Sequence, residues 1–227
     1  MRVVQQICTG FVFAVAAATL AQPATAQTSQ VLSRSDLSAP IQFDWSSIGT
    51  ELSVHSSPFN VALGADLTMT VSTATGSAME RRTQGQSWGG NFTHGEALLW
   101  TNSHTGPLTF AFSQAISGFG SNIMQNQYGS FIGTIRTFDA GHNLLGSFTV
   151  NGVANGNADG TASFLGAQST SGIRYVELDV TTHDFAINAL SISVGDVSTV
   201  PEPASVVLLA TGLAAIGLVG ARRRRRA

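Results

Sequence analysis

FIGTIRTFDAGHNLLGSFTV, residues 131–150, is the stretch whose reading decides the fold. Phe131 to Phe138 alternates, with Phe131, Gly133, Ile135 and Thr137 on one side and Ile132, Thr134 and Arg136 on the other. A period of two places successive side chains on opposite faces of a pleated strand. Asp139-Ala-Gly-His-Asn143 then supplies short polar and glycine residues that tolerate turn backbone. Leu144 to Val150 resumes the apolar–polar alternation as the partner. Strand, tight turn and strand make a hairpin, so the pairing is antiparallel.

Working outward, the same pattern recurs. Gly172 to Val180 alternates strictly, with Val176, Leu178 and Val180 on one face. Asp184 to Ser193 reads as a further strand. On the N-terminal side, strands are expected at Ile41–Trp45, Asp66–Ser72, Ala97–Thr101, Leu108–Phe112 and Gly118–Met124, with a short one at Ala162–Gly166. Between them lie a polar, glycine-rich segment at Ser77–Gly90 and a Gly/Asn loop at Asn151–Gly160. No stretch of the body keeps a 3.6-residue period. Many short strands separated by turn residues predict an all-β, antiparallel β-sandwich or jelly roll. The body spans about 170 residues, enough for one hydrophobic core.

The ends have a different character. Arg2, the apolar run Ile7–Leu20 and the small-residue site Ala24-Thr25-Ala26 predict a signal peptide over 1–26, cleaved before Gln27 for Sec-type export. Cys8 is the one cysteine and lies inside that segment, so the mature chain has no disulfide and no thiolate metal site. Residues 27–40 are rich in Ser, Thr and Gln and are expected to form a flexible lead-in to a sandwich over 41–195. A linker, 196–203, ends in Pro201-Glu202-Pro203. Ala204–Ala221 is an uncharged apolar run. As a helix it spans about 27 Å, near the hydrocarbon thickness of a bilayer. Arg222, Arg223, Arg224, Arg225 and Arg226 follow, in the tail 222–227. Five arginines stop translocation and stay cytoplasmic, which predicts an anchor in the inner membrane with the body outside it.

Between residues 27 and 200, five arginines stand against twelve acids, which leaves a charge of −7, and there is no lysine. An acidic, lysine-free body excludes nucleic acid and anionic membrane surface as partners.

Pro201-Glu202-Pro203, the apolar helix and the terminal arginines, in that order and spacing, resemble the PEP-CTERM sorting signal of Gram-negative bacteria. The resemblance implies an exosortase as partner, cutting near Pro201-Glu202-Pro203, with this chain as substrate. Trp88-Gly-Gly-Asn-Phe92, Gly95-Glu-Ala-Leu-Leu99, Gly106-Pro-Leu-Thr-Phe110, Gly118-Phe-Gly120, Phe138-Asp-Ala-Gly141, Ser163-Phe-Leu-Gly166 and Phe185-Ala-Ile-Asn188 look like the β-sandwich ectodomain of PEP-CTERM proteins. That likeness implies a surface or biofilm-matrix location and association with exopolysaccharide.

Candidate chemistry is sparse. Gly85-Gln-Ser87-Trp-Gly89 matches a nucleophile elbow, which requires a strand-to-helix turn that an antiparallel chain does not offer. Asn155-Gly-Asn157-Ala-Asp159-Gly160 resembles half of a calcium loop, but Gly166 stands where the bidentate Glu belongs. A structural calcium elsewhere in the sandwich is left unplaced. His94, Glu96 and His104 have zinc-ligand chemistry, with His94 and Glu96 expected on one strand face. No catalytic residue, metal ligand or cofactor is assigned. Trp88 lies among Arg81, Arg82, Gln84, Gln86 and Asn91, so Trp88, Arg82 and Asn91 are the candidate glycan contacts. Asn122, Gln125, Asn126, Gln127 and Tyr128 form a second polar cluster. The leading reading is a non-enzymatic, exported matrix protein that binds exopolysaccharide. A structural or adhesion protein without glycan specificity and a secreted hydrolase are the alternatives.

Overall fold

The computed structural model describes residues 28–103 and 105–195. The signal peptide with Ala24, Ala26 and Gln27, residue His104, the motif Pro201-Glu202-Pro203, the apolar run 204–221 and Arg222–Arg226 lie outside the described residues. Among the described residues no helix is long and apolar enough to cross a membrane.

Among the described residues thirteen strands follow one another: β1 (Thr28–Val31), β2 (Ile41–Phe43), β3 (Val54–His55), β4 (Phe59–Ala62), β5 (Thr68–Thr73), β6 (Met79–Thr83), β7 (Ala97–Trp100), β8 (Leu108–Gln125), β9 (Gly129–Phe138), β10 (Leu144–Ala154), β11 (Ser163–Val180), β12 (Phe185–Ile187) and β13 (Leu190–Ser193). Every strand pairing is antiparallel.

Two long strands, β8 and β11, generate both layers of the sandwich. The N-terminal half of β8 pairs with β5, and β5 pairs with β4. The C-terminal half of β11 pairs with that half of β8 and with β9, and β9 pairs with β10. This first layer therefore runs β10-β9-β11-β8-β5-β4. Register shifts between Gln168, Ile173 and Tyr175 mark where both strands bend, and Gly172 takes a φ of 79° there, a conformation natural to glycine. Beyond the bend, β8 and β11 pair again in the second layer. It carries β1 on β11, the β13-β2 pair on β8, and the run β12-β7-β6-β3.

The core lies between the layers. Phe110 and Phe112 of the first layer meet Phe119 of the second at ring-centroid distances of 5.0 and 6.0 Å, all three on β8. Gly133 on β9 leaves room for Ile123 and Leu165 opposite it. The inward positions of the 131–150 hairpin fall as alternation requires: Phe131 and Ile135 are buried and Ile132 is exposed.

Several expectations change. Leu108–Phe112 and Gly118–Met124 belong to one strand, as do Ala162–Gly166 and Gly172–Val180, because the chain crosses between layers by bending rather than turning. Asp184–Ser193 is instead two strands. Asn188 breaks it: its N–H donates to Asn122 O at 3.2 Å, and its carbonyl accepts from Trp45 Nε1 and Ser121 Oγ at 2.8 and 2.9 Å. Trp45 leaves the strand for a 3-10 turn, Trp45–Ile48, capped by Asp44 through the Ser46 amide at 2.7 Å. Strand β6 occupies part of the expected glycine-rich segment.

The lead-in 27–40 is corrected as well. Residues 28–31 pair with β11, and Val31, Leu37 and Phe164 form a small second cluster outside the main core. Phe164 lies across the partnered glycines Gly120 and Gly166; a Cβ at Gly120 would come within 2.4 Å of its ring. The sandwich therefore takes in residues 28–31 as well as those from 41 onward.

The hairpin turn has a pH signature. Asp139 Oδ1 accepts from the amides of Gly141 and Asn143, both at 2.8 Å, and Oδ2 from the Asn143 side chain at 2.9 Å. These bonds, the Asn143 side chain first, hold its pKa below the ordinary value of 3.8. A depressed carboxylate stabilises the fold fully above its unfolded pKa, and the contribution is lost as pH falls through the folded one. Amide exchange at Gly141 and Asn143 should therefore show protection constant from neutrality down to about pH 4 and falling away below it. Protection that declines between pH 7 and 5 contradicts this.

Candidate functional site

Most of the chemically suggestive residues meet at one end of the sandwich. Three connections converge there: residues 84–96 between β6 and β7, 126–128 between β8 and β9, and 155–162 between β10 and β11. Asn91, 1% exposed, fastens them. Its Oδ1 accepts from the Asn155 amide at 2.7 Å, its Nδ2 donates to Thr161 Oγ1 at 2.9 Å, and its backbone N–H donates to Met124 Sδ at 3.1 Å. The Ala158 amide donates to Gly90 O at 2.9 Å.

Trp88 is corrected. It is 6% exposed and lies 6.0 Å from Trp100, so its ring faces are covered and cannot stack on a pyranose. Asn91 ties loops together, and its amide is not open to a ligand. Arg82 is also engaged. Its Nη2 donates to Glu80 Oε2 at 3.1 Å, its Nη1 donates to Ser87 O at 3.1 Å, and its guanidinium lies 4.5 Å over the Trp100 ring. The Trp100 indole donates to Asp184 Oδ1 at 2.6 Å, and Asn126 Nδ2 donates to Asp184 Oδ2 at 2.9 Å. The polar neighbours of Trp88 in sequence suggested an exposed ring. The turn at Gly85–Gly89 folds the indole inward instead.

The other candidates resolve similarly. Ser87 Oγ accepts from the Thr83 amide at 2.9 Å, in a turn between two strands, so Gly85–Gly89 is not an elbow. In the Asn155–Gly160 loop, Asn155 Oδ1 accepts from the Asn157 amide, and Asp159 Oδ1 from the amide and hydroxyl of Thr161. These oxygens serve the loop's own backbone. His94 packs over Gly85, whereas Glu96 accepts from the Thr93 amide and the Asn188 side chain. The two precede β7 in a turn and share no strand face. Among the described residues no three of His, Cys, Asp or Glu are placed to hold a metal ion.

What remains open at this end is Tyr128, 64% exposed. Its hydroxyl donates to Gly89 O at 3.3 Å, which pins one end of the ring. A Cβ at Gly156 would lie 2.7 Å from that hydroxyl, so glycine there keeps its space clear. Exposed Asn126 and Gln127 precede it; Gln125, expected in the same loop, is buried in β8. The result is a fixed aromatic platform beside neutral amides.

Residues 199–226 match a family model described as the PEP-CTERM protein-sorting motif. The chain carries this sorting motif. The PEP-CTERM match is confined to the tail. No curated protein matches the chain. Similar solved structures include CsCBM6-3 from Clostridium stercorarium in complex with cellobiose, at 10% identity, covering 65% of this chain and 98% of that one, with a TM-score of 0.30. A family 6 carbohydrate-binding module has 10% identity, covers 63% and 95%, and has a TM-score of 0.32. A DUF4465 family protein from Bacteroides caccae ATCC 43185 has 10% identity, covers 70% and 99%, and has a TM-score of 0.32. At these scores none of the three informs the function of this chain.

Proposed function

We propose that this PEP-CTERM chain is exported, held in the inner membrane as a precursor, and processed by an exosortase, and that its sandwich binds extracellular polysaccharide. The sorting motif at residues 199–226 carries the first part. In a host with an exosortase, replacing Pro201, Glu202 and Pro203 by alanine should leave a larger, membrane-retained form on an immunoblot. Processing that proceeds unchanged would contradict the assignment.

The binding part is supported by the exposed, pinned ring of Tyr128. A sugar ring has an apolar C–H face and a rim of hydroxyls, and an aromatic platform flanked by amides matches both. The sandwich has a binding role in this reading and no catalytic one. Affinity electrophoresis of the full-length protein in polysaccharide gels should show retardation, and Tyr128→Ala should weaken it about tenfold, the usual effect of truncating a central aromatic contact. Equal mobility with and without every polysaccharide tried would remove the glycan reading.

A further inference from the structure

A groove of about 750 Å³ runs along the open side of the sandwich, away from the loop end, between β2 and β4. Among the described residues each of these strands is a sheet edge: β2 pairs only with β13, and β4 only with β5. Buried Phe43 and half-buried Phe59 line it. His55 packs against Phe59 at a ring distance of 5.2 Å. Exposed Gln42, Asp44 and Asn60 form the rim. A smaller hollow of about 380 Å³ shares Ile41 and Leu63 with the groove, so the depression is long rather than round.

We infer that this groove binds a single chain of uncharged polysaccharide along its length. The inference rests on the glycan reading above and adds a second place and a ligand class. Half-buried Phe59 and His55 on the floor offer apolar surface to the C–H faces of sugar rings. The rim suits hydroxyls. Asp44 uses one oxygen for the Ser46 amide, which leaves the other to accept from a hydroxyl. Asn60 accepts from Thr70 with its Oδ1, which leaves its N–H groups to donate. An elongated channel admits the middle of a polymer, where a pit would take only its end.

The ligand class follows from charge. An anionic polysaccharide needs cations, and among the described residues no arginine lines the groove; the chain has no lysine. Burial pushes the His55 pKa down, so the imidazole in the groove is neutral at neutral pH. Asp44, with Asp66 in the adjoining hollow, would repel a polyanion.

The test compares full-length protein with Ala62→Trp, which fills the groove from an exposed position on β4, and with Tyr128→Ala. The probes are a neutral glucan, a neutral galactan and a polyuronate in affinity gels at physiological salt. The expected result is retention by a neutral polymer and not by the polyuronate, with Ala62→Trp about tenfold weaker at an unchanged melting temperature. If the wild type is retained and Ala62→Trp binds equally well, the groove inference falls while the glycan reading stands. Preference for the polyuronate overturns the ligand class. Retention by none of the three removes the glycan reading and this inference together. If Ala62→Trp abolishes self-association in ultracentrifugation without altering retention, the groove is a protein interface and the inference is wrong.

Discussion

Phe119→Ala is expected to destabilise the sandwich by about 4 kcal/mol, read as a lower urea midpoint with the slope preserved. Phe119 is fully buried in the second layer, against Phe110 and Phe112 of the first. All three lie on β8, so the contact holds the strand's two halves in their bent arrangement. Truncation removes the ring's transfer free energy and leaves a cavity that neighbours on paired strands cannot easily close, since Ala167 and Ile192 flank it in register. Phe119→Leu should cost less, about 1.5 kcal/mol, because it keeps most of the apolar volume. A loss below about 1 kcal/mol for the alanine variant would mean that the layers do not depend on this contact.

Arg34→Ala is expected to cost about 2–3 kcal/mol and to release the N-terminal strap, residues 28–36, from the second layer. Its Nη2 donates to Asn122 Oδ1, Asn188 Oδ1 and Ala189 O at 3.0, 2.9 and 2.9 Å; its Nη1 donates to Gln42 at 3.1 Å and to Ser191. The guanidinium also lies 5.3 Å over the Phe164 ring. Burial lowers its pKa, although the Glu96 carboxylate acts in the opposite direction. It nevertheless stays charged, because an arginine pKa begins so far above neutrality. Removing the side chain takes the donor from Asn122 Oδ1 and the cation from over the Phe164 ring. Arg34→Lys should recover under half of the loss, since an ammonium cannot reach acceptors spread across a planar fork. Amide exchange at Ser29–Val31 separates the two effects. Global destabilisation with the strap still protected would show that Arg34 does not fasten it.

The strap shows why some of this fold was not legible. Thr28–Asp36 has no apolar run, so its composition suggests a loose lead. It docks because Gly120 and Gly166, partners on neighbouring strands, leave a shallow place for Phe164, and Arg34 donates to acceptors on three separate segments. Trp88 misled for the opposite reason. Its neighbours in sequence are polar, but burial is set by the turn that carries the ring and by Trp100, which arrives from another strand. Tyr128 was legible only as a polar-loop aromatic; its pinned hydroxyl depends on Gly89, thirty-nine residues away.

By itself, the sequence determined the local and periodic properties: antiparallel strands over most of the body, the hairpin at 131–150, the lysine-free acidic charge and the sorting motif at 199–226. Each is carried by neighbouring residues. Only the tertiary structure decided that β8 and β11 bend through both layers, which aromatic is open and which is buried, and that two unpaired strand edges frame one groove. Those depend on contacts between residues far apart in the chain, and alternation along a strand carries no record of what lies across from it.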